Sequence, residues 1–287
     1  MYFELGGVEF GGPDGRLIVT DFDPGAPDVR SDDIDFPGGD GLIPVVDRLG
    51  GTVWTWTIRT NVKSFTEARR LSERLNRAWR PSLGVGESAW LLYGTDGLLD
   101  RAVRVRPRRF AGPSGAVLDQ HGVATIECDA VLTDPRMFSF WEREVSVGLS
   151  ASSAANLKFP TAPPFVWTSA GEPRHGSFIV RGEAPSSPVI EITGPINQAR
   201  VEIADFAIQT AASLKADQTL RVDALDRRVT ITTGAGQPIS APGALHPSTR
   251  LANIRLDPGE HTVTFTGQDV TGAARCRVAW RDAWRNL

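Results

Sequence analysis

Cysteine occurs only twice in the 287-residue chain, as Cys128 and Cys276, and histidine only four times. Two sulfurs that far apart exclude a disulfide framework and a cysteine-rich zinc site, and a reducing compartment is compatible with them. Lysine is almost as scarce: Lys63, Lys158 and Lys215 are the only ones among 31 cations, the rest being arginine, whose planar fork suits pairing with carboxylates. Neither sign of charge dominates, with 31 basic against 34 acidic residues and a formal net charge of -3. No global field draws the chain toward nucleic acid or an anionic membrane. No run of ~18 apolar residues occurs. The opening Met-Tyr-Phe-Glu-Leu-Gly-Gly lacks a cationic segment followed by an apolar stretch, so a soluble, unexported protein is expected.

The residue sets of common enzyme chemistry are missing too. His121, His175, His246 and His261 are isolated, with no His-Glu-x-x-His pair, and are read as surface or packing residues. Gly112-Pro113-Ser114-Gly115 misses the frame of a nucleophile elbow. Gly84-Val85-Gly86-Glu87-Ser88 lacks the lysine and third glycine of a phosphate loop and follows a helix instead of preceding one. Asp32, Asp33 and Asp35, near Asp40, offer oxygen ligands but not at the spacing of a calcium loop, so they are read as solvated. No catalytic residue, cofactor or metal ligand is assigned, no enzyme is expected, and a hydrolase is the poorest option.

What is present is turn-rich β sequence, with 29 glycines and 20 prolines. A chain this long suggests two domains, with one or three also open. In Thr52-Val53-Trp54-Thr55-Trp56-Thr57-Ile58 strict alternation puts Trp54, Trp56 and Ile58 on one strand face. Further strands are expected over Arg16–Thr20, Ala89–Tyr93, Arg101–Arg109 and Gly122–Thr133. One helix is expected between a capping box at Ser64-Phe65-Thr66-Glu67 and Pro81. Its inward face carries Phe65, Ala68, Leu71, Leu75, Ala78 and Trp79, and its outward face is rich in arginine. From Ser177 onward short strands recur with polar turns, including hairpin connections at Asp226-Arg227-Arg228 and Asp257-Pro258-Gly259, as in a sandwich. The Ser-, Ala- and Pro-rich stretch 148–164 reads as a connection, so the expected domains are 1–137 and 138–287.

Period-2 alternation in Arg101–Arg109 places Arg104, Arg106 and Arg108 on one strand face, opposite Val103, Val105 and Pro107. No aromatics interleave with them, which disfavours single-stranded nucleic acid and leaves a protein partner or solvent. Trp167, Trp280 and Trp284 could form a glycan-stacking platform. Core packing is the competing reading, since Trp280 alternates with Val278 and Cys276.

Several segments, taken in order, resemble the distal tail protein family of long-tailed, non-contractile bacteriophages. They are Phe10-Gly11-Gly12-Pro13-Asp14-Gly15, Gly39-Asp40-Gly41, the helix from Ser64, and Asp134-Pro135-Arg136-Met137-Phe138-Ser139. In the second half they are Ile192-Thr193-Gly194-Pro195-Ile196-Asn197, Leu220–Asp223, Leu256–Phe265 and the closing Trp280-Arg281-Asp282-Ala283-Trp284. The resemblance spans nearly the whole chain, but residues 138–188 match no clear family pattern.

The resemblance implies a mainly β chain: an N-terminal tail-tube-like β-sandwich with one helix, followed by a galectin-like, carbohydrate-binding-like β-sandwich. It further implies a structural virion protein, assembled in the host cytoplasm, that closes as a homo-hexameric ring at the distal end of the tail. That ring would join the tail tube to the hub protein and other tail-tip proteins, and DNA would pass its lumen without specific binding. Within such a ring Arg104, Arg106 and Arg108 are expected to meet Asp32, Asp33 and Asp35 of a neighbouring subunit. The alternative is a module recognising host-surface glycan. Cys128 and Cys276 fall in different expected domains as small apolar strand residues. Mass analysis under non-reducing conditions should therefore find both thiols free and no intramolecular disulfide.

Overall fold

The structure, a computed structural model, describes residues 1–27, 29–36, 40–45, 47–84, 86–95, 97–112, 123–149, 175–204, 206–269 and 271–285. The chain divides into two compact units, Met1–Phe140 with Arg285, and Trp141–Trp284. Of the connection expected over 148–164, Gly148 ends a strand and Leu149 is buried. The remainder lies outside the described residues, as do His121, Trp167 and Pro113-Ser114-Gly115.

The first unit contains β1 (Tyr2–Leu5), β2 (Val8–Gly11), β3 (Leu17–Asp23), and the two-residue segments β4 (Val29–Arg30), β5 (Ile34–Asp35), β6 (Leu42–Ile43) and β7 (Arg48–Leu49). There follow β8 (Val53–Thr60), helix α1 (Phe65–Trp79), β9 (Ala89–Gly94), β10 (Arg101–Ala111), β11 (Thr125–Leu132) and β12 (Arg136–Ser139). One sheet runs in the order β2-β1-β9-β10-β11-β8-β3, and each neighbouring pair in it is antiparallel. In a flat sheet β1 and β8 would lie ~19 Å apart, at about 4.8 Å per strand. The rings of Phe3 on β1 and Trp56 on β8 are 5.8 Å apart between centroids, so the sheet curls round a shared core. Trp54, Trp56 and Ile58 point into it as the alternation predicts, beside Phe3, Phe10, Tyr93 and Trp79.

The helix packs onto this core through Ala68, Ser72, Leu75 and Trp79. Trp79 also donates its indole N–H to the Asp129 carbonyl at 2.9 Å. Its N-terminus differs from the expected capping box. Ser64 holds the extended N-cap conformation but its side chain makes no capping bond, and Glu67 pairs with Arg16 at 3.1 Å. A guanidinium within reach outcompetes a backbone amide for the carboxylate. Phe65, expected inward, is exposed. Gly11 shows why its position excludes a side chain: its φ is +100°, and a Cβ there would sit 2.4 Å from the Met1 carbonyl oxygen.

The second unit contains β13 (Arg143–Gly148), β14 (His175–Val180), β15 (Val189–Thr193), β16 (Asn197–Ile203), β17 (Phe206–Gln209), β18 (Gln218–Asp223), β19 (Arg228–Thr233), β20 (Ile239–Ser240), β21 (Gly259–Gln268) and β22 (Arg275–Trp280). Its sheets are β13-β22-β15-β18-β19-β20 and β14-β21-β16-β17. Alternate residues of both, among them Ile190, Ile192, Val201, Phe265 and Val278, share one buried cluster, which makes a sandwich. Asp226-Arg227-Arg228 closes the β18–β19 hairpin, with Arg227 at φ +50°. Asp257-Pro258-Gly259 does not close a hairpin, because β21 pairs with β14 and β16, both distant in sequence. A turn signal reports a change of direction, not which strand becomes the partner.

Cys128 and Cys276 are free and buried, one in each unit. Burial pushes both thiols up, that of Cys276 to about 12. Trp54 and Trp56 are also buried, and their indole N–H groups have no hydrogen-bond acceptor among the described residues. Trp79→Phe should therefore lower stability by ~1 kcal/mol more than Trp56→Phe, because only the former removes a hydrogen bond. Urea denaturation of the two variants measures the difference.

Candidate assembly surfaces

β10 does not present its arginines as one exposed row. Arg104 is only 7% exposed, with its guanidinium carbon 4.9 Å from the ring centre of its cross-strand neighbour Trp90. Arg106 donates to the carbonyls of Gly84 and Glu87, each at 3.2 Å. Arg108 is exposed. The alternation itself holds as far as Pro107, with Val103 and Val105 buried on the opposite face, but Trp90 and the segment before β9 cover the arginine face; the register with β11 shifts only beyond it, between Pro107 and Phe110. Past that irregularity the Arg109 amide donates to the Asp129 carboxylate at 3.0 Å instead.

β12 takes the edge of β10 that β11 leaves free, pairing Ala102 with Phe138. Asp134 grips Arg136 with both carboxylate oxygens, at 2.9 and 2.6 Å, and Arg136 lies 5.2 Å over the Phe138 ring. Phe138 in turn meets Trp90 edge-on at 5.3 Å. The Asp-Pro-Arg-x-aromatic segment is thus a clasp, in which charge pairing and ring stacking hold a short strand that is too small to pair stably alone.

Asp32, Asp33 and Asp35 lie in the excursion between β3 and β8. Hydrogen bonds from the Ser31 side chain and the Val45 amide hold the Asp33 carboxyl below its usual range, the amide bond being 2.8 Å. Among the described residues no three His, Cys, Asp or Glu side chains gather as a metal site. The excursion consists of two narrow ribbons, β4 with β7 and β5 with β6. The exposed apolar side chains here escaped the sequence reading: Val29, Ile34, Phe36, Leu42, Ile43 and Leu49 are all at least 40% exposed. The available signal was a run of apolar residues set among glycines, prolines and aspartates between two longer strand patterns. A separate open groove of about 540 Å³ runs between α1 and the β2–β3 region, lined by Val8, Phe10, Arg16, Leu17, Leu71 and Arg74 among others.

Of the three residues of the expected glycan platform, Trp280 is turned into the core. Trp280 is 4% exposed, packs at 4.6 Å on Phe178 and donates to Asp282 at 3.3 Å. An indole held in the core cannot stack on a sugar. Trp284 is half-buried, and Trp167 lies outside the described residues. Asp282, 2% exposed, also accepts from the Arg181 amide and pairs with Arg143, both at 2.9 Å. Trp-Arg-Asp-Ala-Trp is therefore an internal staple.

No family model matches the chain, and neither does any curated protein sequence. Solved structures do. The crystal structure of the Dit protein (gp 19.1) of phage SPP1, described as a paradigm of the hub adsorption apparatus in phages infecting Gram-positive hosts, aligns with a TM-score of 0.56 over 98% of both chains at 12% identity. The chain has the Dit fold. A chain of the phage P2 baseplate in its activated conformation aligns with a TM-score of 0.55 in both its calcium and its strontium structure, at 10% identity, over 95% of this chain and 93% of that one.

Within this Dit fold the outer face of the larger sandwich sheet carries a charged row that the sequence reading did not single out. Arg277 on β22 meets Glu142 at 3.1 Å, Glu144 at 2.6 Å and Glu191 at 2.9 Å. Glu191 on β15 also meets Arg221 on β18 at 2.5 Å. Glu144, Glu191, Arg221 and Arg277 are outward positions on strands, so the signal was present but the cross-strand register was not. Burial alone would raise the Glu191 carboxyl; the bonds from Arg277 and Arg221 outweigh it and hold it below 4.5. A depressed folded value contributes stability above the unfolded value that is lost as pH falls through the folded one. Glu191→Gln should cost about 1–2 kcal/mol at pH 7, as for charge-assisted hydrogen bonds. The gap from the parent chain should close progressively below pH 4.5. Thermal melts across pH 2–7 measure it.

Proposed function

We propose that the chain is a non-enzymatic structural protein of the tail tip of a long-tailed phage. The observation that carries this reading is the alignment with SPP1 Dit, which runs through both units and 98% of both chains. We infer further that it closes as a homo-hexameric ring at the distal end of the tail, between the tail tube and the hub. The first unit forms the ring, and the sandwich is displayed for other tail-tip proteins. Apolar exposure concentrated on one excursion supports association, because ribbons two strands wide are marginal in water and expose apolar surface at a cost.

DNA passes the lumen without being gripped, since each phosphate held by an arginine adds affinity and hence friction. Two of the three β10 arginines are engaged within the unit, which supports that reading. Asp32, Asp33, Asp35 and the exposed Arg108 remain candidates for contacts between subunits. Light scattering of the purified protein should give six times the 31.0 kDa chain mass, negative-stain images should show six-fold rings, and DNA should not be retained at physiological salt. A monomer at all concentrations, or tight DNA binding, would overturn the ring reading.

A further inference from the structure

A hollow of about 280 Å³ opens at the β17 edge of the smaller sandwich sheet. Its floor is apolar, formed by Phe206 and Ile254, both buried, with Ala207 beside them. Its rim is polar. Arg200 and Gln209, paired across β16 and β17, come from the sheet, and Ser248, Arg250 and Asn253 come from the segment before β21.

That segment is tied down along its length. The Gln209 amide donates to Thr249 Oγ1 at 3.3 Å, and the Gln209 carbonyl accepts from the His246 amide at 2.8 Å. Leu251 and Ile254 pack against the sandwich core, and the Asn253 amide donates to the Arg250 carbonyl at 3.0 Å. Ser248 Oγ lies 2.8 Å from His246 Nδ1. The hollow is therefore preformed.

Its charge is not balanced from within. Among the described residues no carboxylate lines it. Glu202, outside the lining, takes Nε and Nη2 of Arg200 at 2.7 and 2.5 Å, which offsets one of the two positive charges and leaves Nη1 to donate elsewhere. Arg250 is exposed, and no acceptor among the described residues engages its guanidinium. Arg143, Arg221 and Arg277 of the same unit all meet carboxylates, so an arginine left open on the rim of a hollow departs from the way this unit uses the residue.

We propose that this hollow binds the phosphate group of a phosphate ester. Guanidinium groups from two different elements, with the carboxamide N–H groups of Gln209 and Asn253, supply donors from several directions. That arrangement suits the oxygens of a tetrahedral phosphoryl group better than the two coplanar oxygens of a carboxylate. Phe206 and Ile254 receive the carbon skeleton of the ester. The volume falls just below the ~300–1,000 Å³ of pockets for drug-sized molecules, so the ligand is compact. A single site of this kind does not retain DNA, because non-specific affinity needs several phosphates held at once. The site lies within one unit of one chain and is independent of the ring reading.

Isothermal titration calorimetry of the full chain with glycerol 1-phosphate at low salt should show saturable binding at one site per chain. Arg250→Gln should weaken it about tenfold, as expected for loss of a charge-assisted hydrogen bond, with the melting temperature unchanged. Arg255→Gln, which removes an arginine outside the hollow that pairs with Asp257 at 3.7 Å, should leave the affinity as it is. Dimethyl phosphate separates the two sources of such a group. Weaker binding than glycerol 1-phosphate assigns the site to a terminal phosphate, and equal or tighter binding to a phosphodiester within a chain; both support the proposal. Acetate binding as tightly would reduce the effect to general attraction of anions, and inorganic phosphate binding as tightly would leave the apolar floor without a role; either overturns it. So would the absence of saturable binding, or equal losses in Arg250→Gln and Arg255→Gln. None of these outcomes depends on whether the chain forms rings.

Discussion

Seven antiparallel strands that must bury a large set of aromatic rings on one face cannot lie flat, and the first unit is built around that constraint. Phe3, Phe10, Trp56 and Trp79 lie within ring-contact distance of one another although they come from three strands and the helix. Curling the sheet is the only way for β1 and β8 to share those contacts, and Trp79 on α1 packs against Phe10 and Trp56 within it. Once the interior is filled, long polar or charged segments have no room inside. The residues between β3 and β8 are therefore left as narrow ribbons outside, and the groove beside α1 remains where helix and hairpin meet without interlocking.

Arginine acts as structural material throughout. Arg104 covers Trp90, Arg136 is clasped by Asp134 over Phe138, and Arg277 binds three glutamates on one face of a sandwich sheet. Each use exploits a flat, permanently charged fork that stacks on rings and pairs with carboxylates at once. A charge-balanced chain with few lysines can hold its strands together in this way. The motifs that carried the family resemblance, the Asp134–Phe138 clasp and the Asp282 staple, owe their form to the same chemistry and are parts of the scaffold.

Much of this was legible from local pattern. The alternation of Trp54, Trp56 and Ile58, the helix from Phe65 to Trp79, the sandwich strands from β14 to β22 and the two isolated thiols follow from rules that act over a few residues. The misreadings have one origin. The β10 stripe assumed an open outer face, while Trp90 on β9 and the carbonyls of Gly84 and Glu87 cover Arg104 and Arg106. The capping box assumed that Glu67 had only its own helix to bind, while Arg16 came from another segment. Trp280 offered either a platform or a core residue until Phe178, about a hundred positions away, was seen against it.

Residue type and spacing alone determined which segments extend, which one coils, which faces are apolar, and that no catalytic set is assembled from neighbours in sequence. Each of these depends on steric and solvation preferences of a residue and its near neighbours, which the sequence states directly. Tertiary structure alone decided which arginines are engaged and which stay available, which aromatics are hidden, and that the apolar side chains between β3 and β8 stand exposed. Those outcomes depend on pairing between strands far apart in the chain. A shift of one residue in that pairing exchanges inside for outside, and nothing local in the sequence records it.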